Sequence, residues 1–226
     1  MKIGIIVAMG KELSLLLPLM NNETAVTHDG ITFHCGSIGC NEVVAMQCGI
    51  GKVNAAIGTL TLINQFSPEL IINTGVAGGT GAEAGIMDVV VGERIAYHDV
   101  WCGPGTKWGE AAGCPRFFTS SKELVDLKLF DNDKTVCRGL IASGDIFVSR
   151  PEEVTRFREL YPDVLAVDME SAAIAQVCYK RNVPFFVMRV VSDTPGGSDN
   201  ISQYENFWEK APMHTFSLLK EMLEQI

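Results

Sequence analysis

The chain has 226 residues, 47% hydrophobic and 20% charged, which supplies the core of one large α/β domain spanning 1–226 and is too apolar for an extended disordered chain. Its 18 Lys and Arg face 27 Asp and Glu, a formal charge of −9, so phosphate backbones and anionic membrane surfaces are repelled and nucleic-acid partners are not expected. Lys11, Asn73, Arg94 and Arg189 interrupt the apolar runs short of the ~18–20 residues of a membrane span, and seven scattered cysteines without a C-x-x-C pair fit a reducing cytoplasm better than a disulfide framework or zinc ribbon.

Lys2 to Ala8 is a β-branched run, read as mature structure because no small-residue cleavage site follows before Lys11 and Glu12. Leucines from Lys11 to Met20 then recur at helical spacing. Thr24 to His28, Ile31 to Ile38 and Glu42 to Cys48 read as strands, and the turn signals Asp29-Gly30 and Gly39-Cys40-Asn41 make them an antiparallel meander. Lys52 to Phe66 is a helix with Ala56, Leu60 and Ile63 on one face, stopped by Ser67-Pro68 before a buried-type strand, Leu70 to Thr74. Val89 to Tyr97 and Thr135 to Ser143 are further strands. Between them, the stretch from His98 to Thr119 is Gly/Pro-rich and carries Trp101, Trp108, Phe117 and Phe118; it is too long and aromatic for a plain connector and is expected to be a functional or interface loop. Pro151 to Tyr161 has proline at its first helical position and acids in its first turn. The remainder reads as a helix from Glu170 to Arg181, a strand from Pro184 to Ser192, a turn at Pro195 to Gly197 and one helix from about Tyr204 to Gln225. Apolar strands alternating with helices predict a central sheet covered by helices, and the early hairpins make it mixed.

In such sheets ligands sit at the carboxyl ends of strands. Gly75-Val76-Ala77-Gly78-Gly79-Thr80-Gly81 reads there as a glycine-rich turn. Gly79-x-Gly81-x-x-x-Gly85 is one residue off the dinucleotide fingerprint, and Gly51-Lys52 fails as a Walker loop because Met46 stands where glycine is needed. The segment either lets backbone amides approach a flat or polar ligand or is a tight turn alone. Asp168-Met169-Glu170 places carboxylates where a buried strand gives way to an alanine-rich helix, to be neutralised by a partner or to complement the helix dipole. Asp193 ends an apolar strand before a Gly/Pro turn, a setting in which burial raises a carboxyl pKa toward use as a general acid. Glu12 taken alone reads first as a surface-helix acid. The dispersed histidines show no metal-ligand spacing.

Taken in order, Ile3-Gly4-Ile5-Ile6-Val7-Ala8-Met9 with Glu12, Gly49-Ile50-Gly51-Lys52, Asn73-Thr74-Gly75-Val76-Ala77-Gly78-Gly79, Ser143-Gly144-Asp145 with Phe147, Met169-Glu170 and Ser192-Asp193 resemble the 5′-methylthioadenosine/S-adenosylhomocysteine nucleosidase family over essentially the whole chain. The wider group is the purine nucleoside phosphorylase-like superfamily. The resemblance implies a three-layer α/β/α fold around a mixed, partly barrel-like sheet, and hydrolysis of an N-glycosidic bond that releases adenine. It implies that Glu12 activates water, Asp193 protonates adenine toward N7, Arg189 orders the water side and Glu170 binds the ribose hydroxyls. Phe147 would stack on adenine and Val148 offer backbone hydrogen bonds. Met9, Ile50, Ala77, Gly78, Met169, Ser192 and Tyr204 would complete the substrate site. It implies a homodimer, and neither metal nor organic cofactor.

The chain departs from the family's pattern at Val76, where serine is usual, at Asp168, where glutamate is more common, and at Tyr204, which replaces a phenylalanine across a one-residue gap. The Trp101 to Trp108 segment also differs. With no hydroxyl at Val76, ribose-side hydrogen bonding there must come from water or another side chain. The rivals are a nucleoside phosphorylase of the same superfamily, a hydrolase of futalosine-type nucleosides or AMP, and a nucleoside-binding sensor without catalysis. Phosphate as nucleophile needs cationic and hydroxyl ligands. At the first strand end, the sequence offers Lys11 as the only nearby cation.

Overall fold

The computed structural model describes residues 1–81, 83–197, 199–210 and 212–226, the side chains of 206, 208–210 and 212–214 excepted. Among the described residues ten strands, β1 (Lys2–Val7), β2 (Asn21–His28), β3 (Ile31–Ile38), β4 (Asn41–Gln47), β5 (Leu70–Gly79), β6 (Val89–Tyr97), β7 (Phe118–Thr119), β8 (Val136–Ser143), β9 (Val164–Asp168) and β10 (Phe185–Asp193), form one mixed sheet. The helices are α1 (Gly10–Leu16), α2 (Lys52–Phe66), α3 (Lys122–Val125), α4 (Pro151–Leu160), α5 (Ser171–Arg181), α6 (Asn200–Lys210) and α7 (Pro212–Leu223).

The sheet runs β10-β6-β8-β9-β5, and a further β5–β10 pairing closes these five strands into a barrel. From β5 it continues as an open wing through β1, β4, β3 and β2, whose last three strands are the predicted meander. Register shifts at Gly92/Arg94, Leu140/Ile141 and Val191/Asp193 bend the barrel strands, the way bulges let a short sheet curl shut. Helices cover both faces of the wing. On β1, Ile3, Ile5 and Val7 belong to the core that includes Leu16 of α1 and Phe216 and Leu219 of α7, whereas Ile6 joins Ala55 and Leu62 of α2 on the other side. Alternation along a strand sends successive residues to opposite faces, so a strand without a polar residue from Ile3 to Val7 requires both to be dry.

The structure corrects several sequence expectations. The Gly75 to Gly81 segment is not a turn: β5 continues through Gly79, pairing with Arg189 to Val191 of β10 and with Ala166 and Val167 of β9. Its glycines are there for proximity, since a Cβ at Gly78 would fall 2.5 Å from Pro195 Cγ and one at Gly79 2.6 Å from Val191 Cγ1. The first helix stops at Leu16 and becomes a 3₁₀ turn at Leu17–Leu19, because Pro18 has no N–H to continue the ladder. Two helices, α6 and α7, occupy the stretch expected to be one, and residue 211 lies outside the described residues. Helix α2 turns Ala55, Gly58, Thr59, Leu62 and Ile63 inward, leaving Leu60 exposed with Val53 and Ile57; its apolar residues cover more than one face, so periodicity did not single out the buried one.

The aromatic stretch after His98 makes extensive contacts within its own chain. Trp101 stacks on Trp108, whose Nε1 donates to His98 O at 2.8 Å and whose ring lies under Arg156. Arg116 lies over Phe117 and Tyr161, and Phe118 pairs with β6 in β7. Trp101 nevertheless remains half exposed.

Candidate active site

One pocket gathers the carboxyl ends of β1, β5, β9 and β10, and every residue singled out for the site lines it. Met9 and Glu12 come from the β1–α1 junction, Ile50 from the turn before α2, and Ala77 and Gly78 from β5. Phe147 and Val148 lie on the loop after β8, Met169 and Glu170 between β9 and α5, Arg189, Ser192 and Asp193 on β10, and Tyr204 on α6.

At the pocket base sits Arg189, which is fully buried. Its Nη2 donates to Asn73 Oδ1 at 2.8 Å and pairs with Asp168 Oδ2 at 2.8 Å and Glu170 Oε2 at 3.4 Å. Burial works against its charge, but Asp168, Glu170 and Glu12 outweigh that and raise its pKa, so the guanidinium stays cationic. Asp168 is held in turn by the hydroxyls of Ser143 and Ser171. The buried acids of the β9–α5 junction therefore have a true ionic partner, beyond any helix-dipole effect.

Glu12 is buried as well, not a surface acid. Its Oε2 accepts the backbone N–H groups of Ala8 and Met9 and its Oε1 that of Val76, each at 2.9 Å. Burial pushes its pKa up against the opposing pull of Arg189 and these donors. Gly75 makes the arrangement sterically feasible: its φ is +140°, and a Cβ there would fall against Glu12 Oε1 and 2.8 Å from Arg189 Nη1. At Val76 the side chain joins the small apolar cluster of Val190 and Phe207, while its N–H holds Glu12. Glu170 is pushed up to about 7 by burial, partly offset by Arg189; Asp168 and Glu12 add to the rise, and the Gly51 N–H donating to its Oε1 at 3.0 Å opposes it.

Asp193 is placed by the β10 bulge, where Ser192 is the residue without a partner in the β5 register. Ser192 Oγ lies 2.6 Å from Asp193 Oδ1, and Asn200 Nδ2 donates to Oδ2 at 2.5 Å. Burial raises the Asp193 pKa, with both donors pulling the other way. The remaining walls are apolar: Phe147 meets Tyr204 edge-on at 5.7 Å, and Tyr204 Oη lies 3.2 Å from Met9 Sδ. Such a pocket suits a flat, partly apolar ligand with a few polar anchor points.

Sequence reasoning missed Asn200, Ser171 and the anchoring of Glu170 by Gly51. The only signal for Asn200 was an amide seven residues beyond Asp193, and none marked Ser171 as a partner of Asn73. Lys11, offered as the nearby cation, is exposed; Arg189 is the cation of the pocket.

Comparison with known proteins gives the chain's family. The model of the phosphorylase superfamily matches residues 2–224. A 5′-methylthioadenosine/S-adenosylhomocysteine nucleosidase of Haemophilus influenzae is 40% identical over 230 residues, covering all of both chains. The structure of the Streptococcus pneumoniae MTA/SAH nucleosidase in complex with 8-aminoadenine superposes with a TM-score of 0.95 at 35% identity, again over both full chains. Futalosine hydrolase of Helicobacter pylori superposes with a TM-score of 0.92 at 30% identity, covering all of this chain and 98% of that one. The fold is thus that of the phosphorylase superfamily. Within it, the chain belongs to the 5′-methylthioadenosine/S-adenosylhomocysteine nucleosidase family.

The elevated Glu170 pKa has a measurable consequence. Because the folded chain holds this proton up to about 7, whereas an unfolded carboxyl releases it near 4.3, its contribution to stability is fully present below the unfolded value and is lost as pH rises through about 7. Denaturant melts of wild type and Glu170→Gln between pH 4 and 8 should therefore converge, or cross in favour of the variant, by on the order of 3–4 kcal/mol as pH rises. A constant difference across that range would show that Glu170 titrates normally.

Proposed function

We propose that the chain hydrolyses the N-glycosidic bond of 5′-methylthioadenosine and S-adenosylhomocysteine, releasing adenine and leaving the thio-substituted ribose. The observation that carries this reading is the convergence of Glu12, Glu170 and Asp193 in one pocket whose buried cation, Arg189, is already engaged by Asp168 and Glu170. Such a site is a poor host for a phosphate nucleophile, which needs its own paired cations.

In this reading water attacks the anomeric carbon and gives its proton to Glu12, which Arg189 and the Ala8, Met9 and Val76 amides orient. The C–N bond breaks with its electron pair passing to adenine, and Asp193 delivers a proton toward N7 so that a neutral base departs. Negative charge on ionised Glu170 stabilises the cationic sugar of the transition state, and Glu170 accepts hydrogen bonds from the ribose hydroxyls. Phe147 stacks on the base and the Val148 backbone meets its edge. Met9, Ile50, Met169 and Tyr204 give the apolar surroundings a thioalkyl group favours. Residues 1–226 act as one nucleosidase domain, and unpaired thiols at all seven cysteines accord with a cytoplasmic setting. A methylthio-nucleoside substrate places the reaction in methionine salvage.

The test is product analysis with methylthioadenosine, S-adenosylhomocysteine, AMP and futalosine. Adenine and a free reducing sugar should form at a rate indifferent to added phosphate; a sugar 1-phosphate would establish the phosphorylase instead, and preference for futalosine the relative's reaction. Asp193→Asn retains size but cannot supply the proton, so kcat should fall by ~10²–10⁴-fold with a smaller effect on nucleoside affinity. Near-normal turnover in that variant would make Asp193 structural. The exposed stripe Val53, Ile57 and Leu60 on α2, beside a groove shared with α5 and lined by Tyr97, Val100 and Val177, supports a homodimer. Sedimentation should give a dimer at assay concentration, and a fully active monomer would refute it.

A further inference from the structure

A second charged cluster stands behind the pocket wall. Lys52, the first residue of α2, extends its Nζ to Asp99 Oδ2 at 2.7 Å, 3.9 Å from Asp145 Oδ2 and 5.5 Å above the Tyr97 ring. Its backbone N–H donates to Asp145 Oδ1 at 2.7 Å, and the Asp145 N–H donates to the same Asp99 Oδ2 at 2.9 Å. Three segments remote in sequence, the turn before α2, the end of β6 and the loop after β8, are therefore tied together by one lysine and two aspartates. The contact is close-packed beneath as well: Gly144 is buried, and a Cβ there would lie against His98 Cε1 and 2.7 Å from Asp99 Cγ.

The two tied loops carry the pocket's outer wall. Ile50 is 51% exposed, Ile146 40% and Phe147 47% in the single chain, so apolar burial within the chain does little to fix these side chains. Their position depends on the backbone beneath them. The same turn sends the Gly51 N–H to Glu170 Oε1, which connects the cluster to the ribose side of the proposed site.

We propose that Lys52 and Asp99 are positioning residues for nucleoside recognition: their ion pair, with Asp145, clamps the Ile50 and Phe147 loops at the spacing that admits the base and sugar. This rests on the proposed reaction only in taking the pocket as the nucleoside site. Neither side chain lines the pocket itself. Lys52 retains 23% and Asp99 17% side-chain exposure, so their replacement leaves the apolar core intact.

The test compares wild type, Asp99→Asn, Lys52→Met, the double variant and Lys52→Arg in steady-state hydrolysis of methylthioadenosine, in calorimetric binding of adenine and in thermal melts. If loss of the clamp leaves about one chain in ten with the loops at the binding-competent spacing, the apparent affinity falls about tenfold. Each single variant should accordingly show KM and the adenine Kd raised about tenfold or more, with kcat within about threefold of wild type. The double variant should be no worse than either single one, because one clamp is lost in each case, and Lys52→Arg should restore most of the affinity. Arg94→Gln, which breaks an exposed ion pair with Asp163 away from the pocket, should leave KM unchanged. Unchanged KM and adenine affinity in both single variants would overturn the proposal. So would additive losses that track a fall in melting temperature and are not restored by Lys52→Arg. A wild-type chain that neither turns over methylthioadenosine nor binds adenine would overturn the proposed reaction and this inference together; normal wild-type turnover with unaffected variants would overturn this inference alone.

Discussion

Burying a guanidinium is among the more costly acts a fold performs, and Arg189 is buried completely. A lone charge in that position is untenable, and removing one partner from such a pair typically costs about 3–5 kcal/mol. The neighbours of Arg189 are arranged accordingly: Asp168 and Asn73 at 2.8 Å, Glu170 at 3.4 Å, with Glu12 close enough to influence its charge. Three carboxylates around one cation leave an excess of negative charge. The protein disposes of that excess with backbone donors, three on Glu12 and one on Glu170, and through raised carboxyl pKa values. An electrically strained pocket of this kind is poorly suited to an anionic nucleophile and well suited to a sugar that becomes cationic as its bond to the base breaks.

Closure of the five-stranded barrel is what makes the arrangement available. Asn73 and Arg189 lie on neighbouring strands β5 and β10, and Asp168 ends β9, the strand that pairs with β5 on its other side near the barrel mouth. Glu12 arrives from the wing, in the first turn after β1, and lies near enough to Arg189 to feel its charge across Gly75, where a Cβ would crowd both side chains. The bulge at Ser192 aims Asp193 into the same space while Ser192 remains within reach of the Ala77 carbonyl. Where a regular ladder would keep neighbouring side chains on alternate faces, a single extra residue gathers acid and hydroxyl.

The outer half of the pocket follows a different logic. Its aromatic and aliphatic walls stand on exposed loops with little core beneath them, and polar ties from elsewhere in the chain supply the constraint. Tyr204, from a helix late in the chain, touches both Met9 and Phe147 and so couples the two halves of the wall.

Local chemistry in the sequence was enough to determine most of the elements, while the resemblance of its ordered motifs to a family supplied the residues expected at the pocket. Lys52 to Phe66, Ile31 to Ile38 and Val89 to Tyr97 coincide with their observed bounds, because helix stops, turn residues and apolar runs act over a few residues. What required the tertiary structure were properties set by residues distant in sequence. Gly75 to Gly79 resembled a turn because glycine's freedom is all that a local reading sees, whereas the crowding by Glu12, Val191 and Pro195 that demands glycine exists only in the closed barrel. The face of α2 that is buried, the pairing of Asn200 with Asp193, and the meeting of Lys52, Asp99 and Asp145 were likewise decided by packing. A carboxylate's residue type is written in the chain, but its charge state depends on which donors, cations and dry surfaces the fold brings against it.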